Sequence, residues 1–442
     1  MFAKRLSPEV YPDRRARLSD QIGDRAIALI PASVECIRNS DVHYPHRQDS
    51  DFYYLTGFAE PDAVAVLLPG HEHSYVLFCR DRDPEKEIWN GRRAGPEGAV
   101  KQHGAAAAYP LSEIDQRLPE LITGREQIYY AIGSDPALDR RVMGWVNQVR
   151  GKARQGVQPP TGFVDLKPLL NEMRLCKQPE EVAVMREAAR ISAEAHIRAM
   201  QTCKPGMMEY EIEAELLYTF TRQGATWAYP SIVAGGANGC ILHYVENNQP
   251  LKDGDLLLID AGAEIDGYDA DITRTFPVNG RFSPEQRLIY QLVLDAQHAA
   301  IAEVQPDNHF NQPHEAAVRV LTAGLVNLGL LTGPVQQLID DEAYKKFYMH
   351  RTGHWLGMDV HDVGLYKQGD QWQNFEPGMV TTIEPGLYIA AADDIDPRWW
   401  NIGVRIEDDV LVTEQGCQIL TSAVPKDIAA IESLMKPRLE IA

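Results

Sequence analysis

Four acidic residues in the second half of this 442-residue chain interrupt stretches that are otherwise apolar. Asp260 ends the run Leu256–Ile259, and Asp271 begins the run DITRTF eleven positions later. Glu384 and Glu407 lie within TTIEPG and GVRIED. Four carboxylates grouped on buried strands without a cation would repel one another and lose hydration, at a large cost in free energy. The pattern therefore predicts a cation site.

Carboxylate oxygens with one imidazole suit Mn²⁺ best among the divalent metals, with Fe²⁺, Co²⁺ and Zn²⁺ as alternatives. Two such ions, roughly 3.5–4 Å apart, can share a water or hydroxide and lower its pKa. A site of this kind would supply a nucleophile for attack on an amide carbonyl. The expected cofactors are two divalent ions, with Mn²⁺ preferred.

Histidine is concentrated in the same half of the chain. Three of the thirteen histidines, His350, His354 and His361, lie within twelve residues, and His243 follows another strand-like stretch. Imidazoles beside a metal-bound hydroxide can move protons or hydrogen-bond a tetrahedral intermediate. The segment around His354 is therefore a candidate catalytic loop.

Each acidic residue also has a simpler interpretation. Asp260 could serve only a turn, and Glu384 could flank the turn that begins at Pro385. Arg405 and Glu407 lie on one face of a strand by period-two alternation and could form an ordinary ion pair. It is the joint pattern that favours a metal site.

The second aspartate has rivals. Asp266 and Asp269 lie between Asp260 and Asp271, and Asp269 would share a strand face with Asp271. The residues alone leave this choice open.

The elements that must position these residues form two regions. In the second region, helices are predicted from Pro179 to about Met200, over Glu209–Arg222, from the capping box at Ser283 to about Val304, and over Pro313–Leu328. Strand pairs are predicted over residues 231–243, 255–276, 379–390 and 402–413. This arrangement is typical of an α+β domain, which we assign to residues 176–442.

Residues 1–175 are predicted to form a smaller mixed α/β domain. The predicted strands are Ala26–Ile30, Ala63–Leu68, Tyr75–Cys79 and Gln127–Ile132, separated by helical segments in βαβ units. Within this domain, Arg38–Phe58 is expected to be a polar loop followed by an aromatic strand that ends at Gly57.

Composition narrows the possible partners. Forty-three basic and sixty-three acidic residues give a formal charge of −20, which argues against nucleic acid and anionic membranes. The N-terminal sequence lacks a secretory apolar core, no apolar run has membrane-spanning length, and the six cysteines are dispersed. We expect a cytoplasmic protein. No GxGxxG follows an early strand, which disfavours a dinucleotide-binding domain.

At its acidic and histidine residues the chain resembles the pita-bread metallopeptidases, and within them the aminopeptidase P family. The shared motif is an aspartate, a second aspartate eleven residues later, a histidine in GHxxGxxxH, a glutamate before Pro-Gly and a glutamate after an arginine. The stretches Arg38–Phe58 and Ile88–Arg93 also resemble that family. The resemblance implies a C-terminal pita-bread catalytic domain preceded by the smaller α/β domain.

Metal ligands follow from this resemblance residue by residue. It implies that Asp260 binds one metal, that Asp271 and Glu407 bridge both, and that His354 and Glu384 complete the other shell. It also selects Asp271 over its two rivals, because the family's second aspartate precedes an Ile/Val-Thr-Arg-Thr stretch.

Catalytic and substrate-binding roles are implied in the same way. Glu384 would act as general base on the bridging hydroxide, and His243 and His361 would contact the substrate and help to move protons or stabilise the intermediate. The remaining implied residues, which would form the substrate pocket, are His350, Arg405, Tyr388 and Trp89. Trp89 would lie near the active site of its own or a neighbouring subunit, or could simply be an interface or core tryptophan.

The resemblance thus implies a dinuclear-metal aminopeptidase that hydrolyses the first bond of peptides beginning Xaa-Pro. It also implies a homotetramer. The alternatives are a prolidase, which cleaves Xaa-Pro dipeptides, and a catalytically inactive pita-bread protein that serves as a binding module.

Overall fold

The structure is a computed structural model that describes residues 5–436. The chain divides into two compact units. One unit is Ser7–Met173, and the other comprises residues 5–6 together with residues 174–436. The N-terminal segment joins the second unit because the backbone N–H of Leu6 donates to Asp266 at 2.8 Å.

A six-stranded sheet forms the centre of the first unit. Its helices are α1 Val10–Ile22, α2 Ser50–Thr56, α3 Pro84–Asn90, α4 Gly95–His103, α5 Ile114–Leu121 and α6 Pro136–Arg150, with α7 Lys167–Leu175 crossing the division. The strands of the unit are β1 Ala26–Pro31, β2 Ile37–Asn39, β3 Val42–His43, β4 Val64–Leu67, β5 Tyr75–Cys79, β6 Ala107–Pro110, β7 Gln127–Tyr130 and β8 Gly162–Asp165. Strands β2 and β3 pair only with each other.

The sheet order is β6-β5-β4-β1-β7-β8, and its pairing is mixed. The pairs β5–β6, β1–β7 and β7–β8 are parallel, whereas β4 is antiparallel to both β1 and β5. The four predicted strands are present. The prediction of βαβ units holds for the connections from β5 to β6 and from β7 to β8, whose strands are parallel. It is wrong for β4, which is antiparallel to both β1 and β5.

The prediction of an aromatic strand before Gly57 is wrong, because residues Ser50–Thr56 form the helix α2. The Asp49 carboxylate accepts the backbone N–H of Phe52 at 2.9 Å, which caps the first turn. Gly57 ends the helix in the left-handed conformation, with φ of 59°. A seven-residue helix with consecutive aromatic residues lacks a clear 3.6-residue period, so the cap and the glycine decide its structure.

In the second unit, long helices lie beside short antiparallel strands. The helices are α8 Pro179–Thr202, α9 Glu209–Arg222, α10 Pro284–Ala302, α11 Gln312–Asn327, α12 Val335–Asp340 and α13 Ile428–Leu434. The strands are β9 Thr226–Trp227, β10 Ile232–Gly235, β11 Leu256–Asp260, β12 Ala263–Ile265, β13 Tyr268–Asp269, β14 Thr273–Pro277, β15 Lys367–Gln368, β16 Gln371–Trp372, β17 Val380–Ile383, β18 Gly386–Ile389, β19 Ile402–Arg405, β20 Asp408–Thr413 and β21 Gly416–Ile419.

The predicted helices of this unit are confirmed, including the capping box of α10. Ser283 Oγ accepts the Gln286 backbone N–H at 3.2 Å, and the Gln286 side chain accepts the Ser283 backbone N–H at 2.9 Å. Helix α8 packs against β12 and β13, which lie between Asp260 and Asp271 in the chain. Its buried His196 places Nε2 2.9 Å from the carbonyl oxygen of Ala261, next to Asp260. In residues 5–436, no helix combines the length and apolar character that crossing a membrane requires.

The predicted long strands are interrupted. Strand β17 pairs with β20, and β18 pairs separately with β19, so residues 384–385 and 406–407 lie between ladders. The predicted pair over 231–243 is also wrong beyond Gly235, where a 3₁₀ turn spans Gly236–Cys240. Glu384 and Glu407 lie at the two interruptions between these ladders.

Candidate metal centre

The candidate ligands lie where strands end. Asp260 is the last residue of β11, Asp271 precedes β14, Glu384 follows β17, and Glu407 precedes β20. Their backbones are held by hydrogen bonds from other segments: Glu384 N–H donates to Thr352 at 2.7 Å, and Glu407 N–H donates to Thr273 at 3.1 Å. Distant parts of the chain therefore meet at one place.

Three ligand atoms form a cluster suited to a metal ion. One atom each from Asp271, His354 and Glu407 lie within 4.8 Å of one another. His354 Nε2 is 3.5 Å from Asp271 and 3.8 Å from Glu384. Its Nδ1 lies 2.9 Å from the Trp355 carbonyl oxygen, an acceptor that fixes the proton on Nδ1 and directs Nε2 toward the carboxylates.

The electrostatics of this cluster favour a cation. Burial raises the pKa of Glu384 to about 7, and burial together with neighbouring carboxylates raises the pKa of Glu407 well above its usual range. Burial would lower the pKa of His354, but its contact with Asp271 and the charge of Glu384 outweigh burial and raise that pKa to about 9. Burial would also raise the pKa of Asp271, but its hydrogen bond with His354 and the charge of that imidazole lower it.

The donor set fits divalent metal ions. Four carboxylates and one imidazole match the oxygen-rich ligation of Mn²⁺ and related ions. Asp260 adjoins the cluster through Tyr229, whose hydroxyl donates to Asp260 Oδ1 at 2.7 Å and also contacts Asp271 Oδ1. The sequence analysis missed Tyr229, because a tyrosine in the segment WAYPS carries no spacing signal.

Arg405 and Glu407 do not form the simple ion pair that alternation allowed. Arg405 Nη2 lies 2.7 Å from Asp260 Oδ2, whereas Glu407 Oε2 accepts the Thr273 hydroxyl at 2.6 Å. The rival aspartates lie elsewhere. Asp266 occupies a turn with φ of 54° and accepts the Leu6 N–H, and Asp269 lies within β13.

A pocket of about 820 Å³ opens over the candidate ligands. His243, His350, His361 and Arg405 line it, and their substrate-side roles stay predictions. His361 packs edge-on against His354, with ring centroids 4.4 Å apart.

Tyr388 lies behind the pocket wall, where its hydroxyl is 2.8 Å from His350 Nε2 and accepts from Arg405 Nη1 at 3.0 Å. Trp89 lies on α3 of the first unit with 86% of its surface exposed, and its role stays a prediction.

One pocket wall was missed by the sequence analysis. Phe310, Tyr366 and Trp372 contribute aromatic rings to it, and the Arg351 guanidinium lies 5.1 Å from the centroid of Trp372. These residues come from separate segments without a shared period, so only the folded chain groups them.

A buried ion network supports the histidine loop. The carboxylate of Asp362, next to His361, accepts from Arg174 at 2.6 Å and from Lys177 at 2.9 Å. All three side chains are at most 3% exposed. The network ties the loop to the end of α7, which carries Arg174, and to the following segment, which carries Lys177.

Comparisons with known proteins match both halves of the chain. The model of metallopeptidase family M24 matches residues 183–414, and the model of the aminopeptidase P N-terminal domain matches residues 11–129. The Xaa-Pro aminopeptidase of Escherichia coli is 46% identical over 97% of this chain and 98% of that protein. Human Xaa-Pro aminopeptidase 3 is 36% identical over 97% of this chain and 86% of its own length.

Solved structures agree along nearly the full length. Aminopeptidase PepP of Pseudomonas aeruginosa superimposes with a TM-score of 0.96 at 58% identity, covering 98% of both chains. An active-site variant of E. coli aminopeptidase P in complex with substrate gives a TM-score of 0.95 at 45% identity, covering 98% of this chain and 99% of that one.

Proposed function

Because the chain belongs to the aminopeptidase P family of M24 metallopeptidases, we propose that it is a metal-dependent aminopeptidase acting on peptides that begin Xaa-Pro. The predicted family and its α+β pita-bread fold with a smaller N-terminal domain are confirmed by the matches to both halves of the chain. The enzyme releases the first residue by hydrolysing the amide bond that precedes proline.

The observation that carries this function is the meeting of Asp271, His354 and Glu407 in one buried cluster, with Asp260 and Glu384 beside it. These five side chains would hold two divalent ions, and by the family resemblance Asp271 and Glu407 would serve both. When bound, such ions polarise the substrate carbonyl and lower the pKa of an attacking water. Mn²⁺ is the preferred ion on the basis of the oxygen-rich donor set.

Glu384 is the proposed general base. Its carboxylate lies beside the candidate ligands, where it can accept a proton from an attacking water and later release it. His354 lies 3.8 Å from its carboxylate. The leaving proline nitrogen needs a proton, and Glu384 can return the one it took.

The pocket histidines act on the substrate side. His243 and His361 provide N–H donors for the oxygen that gains negative charge when the carbonyl is attacked. His350 and Arg405 are held rigidly through the Tyr388 hydroxyl, and they shape the surface that receives the proline ring. By family resemblance alone, Trp89 is proposed to lie near the active site of its own or a neighbouring subunit.

By the same family resemblance we propose a homotetramer, with peptides carrying proline in the second position as its partners. The dispersed cysteines support a cytoplasmic location. A prolidase is the alternative enzyme, since it shares the ligand set. An inactive binding module is a weaker alternative, because the sequence keeps all five ligand residue types.

One comparison of substrates tests the function. Metal-depleted protein reloaded with Mn²⁺ is offered Xaa-Pro-Yaa tripeptides beside Xaa-Pro dipeptides, with Glu384→Gln as the matched inactive control. We expect faster turnover of the tripeptides by the native protein alone. Preference for dipeptides would establish a prolidase, and metal binding without turnover of either substrate would establish a binding module.

A further inference from the structure

The segment that carries His243 has little regular structure of its own. Strand β10 ends at Gly235, and the chain then runs through a short 3₁₀ turn and irregular backbone until β11 begins at Leu256. His243 nevertheless lines the pocket over the candidate metal ligands. Because no strand ladder fixes residues 241–249, another interaction must hold this histidine in place.

The Glu209 carboxylate supplies that interaction. Glu209 is the first residue of α9 and has no exposed surface. Its Oε1 accepts from the Gly235 N–H at 2.8 Å and from the Asn238 side-chain amide at 2.9 Å. Its Oε2 accepts from the Tyr244 hydroxyl at 2.8 Å and from the Gln249 N–H at 2.9 Å. Two donors precede His243 in the chain, and two follow it.

Tyr244 extends this restraint into the core. While its hydroxyl donates to Glu209, its ring packs in an apolar cluster with Ile232, Leu258 and Tyr388. The residue immediately after His243 is thus held at both ends of its side chain. Tyr388 in turn hydrogen-bonds His350 and Arg405 on another part of the pocket wall.

The chemistry of the four donors requires a carboxylate. An ionised glutamate offers two acceptor oxygens and can satisfy all four donors. A glutamine keeps the shape but replaces one oxygen with an NH₂ group, which would face two donors and leave them without an acceptor. Glu209→Gln therefore removes the negative charge and one acceptor oxygen while keeping the volume of the side chain.

We propose that Glu209 is a positioning residue that holds the segment 235–249 so that His243 reaches the substrate. The proposal rests on the proposed function, in which His243 contacts the peptide. Glu209 itself is absent from the pocket lining and acts through the backbone of this segment.

A double-mutant cycle tests the proposal. Glu209→Gln and His243→Ala are made singly and together in the Mn²⁺-loaded full chain, and kcat/KM is measured on an Xaa-Pro-Yaa tripeptide. We expect Glu209→Gln alone to lower kcat/KM by about tenfold to a hundredfold, as misplacement of a catalytic-site group does. In the His243→Ala background it should have little further effect, because the group that it positions is gone. Glu246→Gln, an exposed carboxylate in the same segment, is the matched control.

A loss from Glu209→Gln that is equally large in both backgrounds, or no loss in either, would overturn the proposal. Mn²⁺ affinity should stay unchanged, because Glu209 contacts none of the candidate ligands in the described structure. Should Glu209→Gln fail to fold, Tyr244→Phe removes one of the four donors while keeping the ring, and the same cycle is run with it.

Hydrogen exchange gives a readout that does not depend on turnover. We expect Glu209→Gln to speed amide exchange within residues 235–249 more than elsewhere in the chain. If the native protein hydrolyses no Xaa-Pro peptide, the proposed function fails, and this local change in exchange then decides the Glu209 inference. Unchanged exchange in that segment would refute it.

Discussion

The Tyr229 hydroxyl donates a hydrogen bond to Oδ1 of Asp260 at 2.7 Å. It also contacts Asp271, so one partly buried tyrosine orients two candidate metal ligands that lie eleven residues apart. Groups that orient ligands in this way commonly change metal affinity about tenfold to a hundredfold when they are removed.

Tyr229→Phe should therefore weaken Mn²⁺ binding by roughly tenfold to a hundredfold, because both carboxylates lose their shared donor. Calorimetric titration of metal-depleted protein measures this change. Tyr218→Phe, which alters an exposed tyrosine on α9, is the control. Equal affinities for the Tyr229 variant and the native protein would show that the hydroxyl does not organise the site.

The choice between rival aspartates can be tested directly. Asp271→Ala should abolish tight Mn²⁺ binding and lower activity about a thousandfold, since bound metal supplies several kcal/mol of transition-state stabilisation. Asp266→Ala should retain both, because its carboxylate binds the Leu6 N–H in a turn. Metal content after dialysis and tripeptide turnover are the measurements. Full activity in the Asp271 variant would contradict the shared-ligand assignment.

Glu384→Gln should lower kcat by about 10²- to 10⁴-fold, the usual contribution of a general base. Rapid-quench assays on an Xaa-Pro-Yaa peptide measure it, with Mn²⁺ saturating so that weaker metal binding does not limit the rate. The exposed Glu376→Gln serves as control and should leave kcat unchanged. A loss confined to metal affinity, with kcat restored at saturation, would leave Glu384 as a ligand without a role as base.

Acid should destabilise the fold through His196. Burial lowers the pKa of this imidazole to about 4, whereas in the unfolded chain it titrates near 6.5. The unfolded state therefore binds a proton first as pH falls below 6.5, and stability is lost progressively until the folded state also protonates near pH 4. Between pH 6.5 and 5 the expected loss is about 2 kcal/mol.

Urea unfolding of native protein and His196→Gln at pH 7 and pH 5 checks this prediction. Between pH 7 and pH 5, the free energy of unfolding should fall less for the His196 variant than for the native protein. His298→Gln, an exposed histidine on α10, should behave like the native protein. An undiminished drop in the His196 variant would assign the acid sensitivity to other groups.

Removing Lys177, one partner of a buried ion pair, should lower the free energy of unfolding. Lys177→Met leaves the Asp362 carboxylate with Arg174 as its remaining buried cation, and we expect a loss of about 3 kcal/mol in the free energy of unfolding. The exposed Arg190→Met, which breaks surface pairs with Glu187 and Glu194, should cost less than about 1 kcal/mol. Similar losses in both variants would show that burial does not govern the Asp362 network.

Sequence reasoning reached the elements with strong local signals. The apolar runs predicted β1, β4, β5 and β7, and the capping box at Ser283 predicted the start of α10. Helix α2 was missed because its signals, a capping aspartate and a left-handed glycine, are weaker than the aromatic pattern between them.

The site shows a similar division. Residue type and order indicated a group of carboxylates with a histidine, but the choice of Asp271 over Asp269 needed the family motif. The interruptions at Glu384 and Glu407 were not predicted, because each predicted strand pair was extended across its carboxylate, although Pro385 and Gly386 mark the first break. Tyr229 and the aromatic wall around Trp372 depend on tertiary contacts between distant segments, which no local pattern encodes.

The backbone bonds from Glu384 to Thr352 and from Glu407 to Thr273 have a consequence for the order of folding. The second of these bonds spans 134 residues. Contacts of such separation form slowly, because a long loop must close before they contribute. The five candidate ligands therefore converge only when the second unit is nearly complete, and tight metal uptake should begin late in refolding. Metal binding would then report on completed chain assembly and could not serve as a template for its early stages.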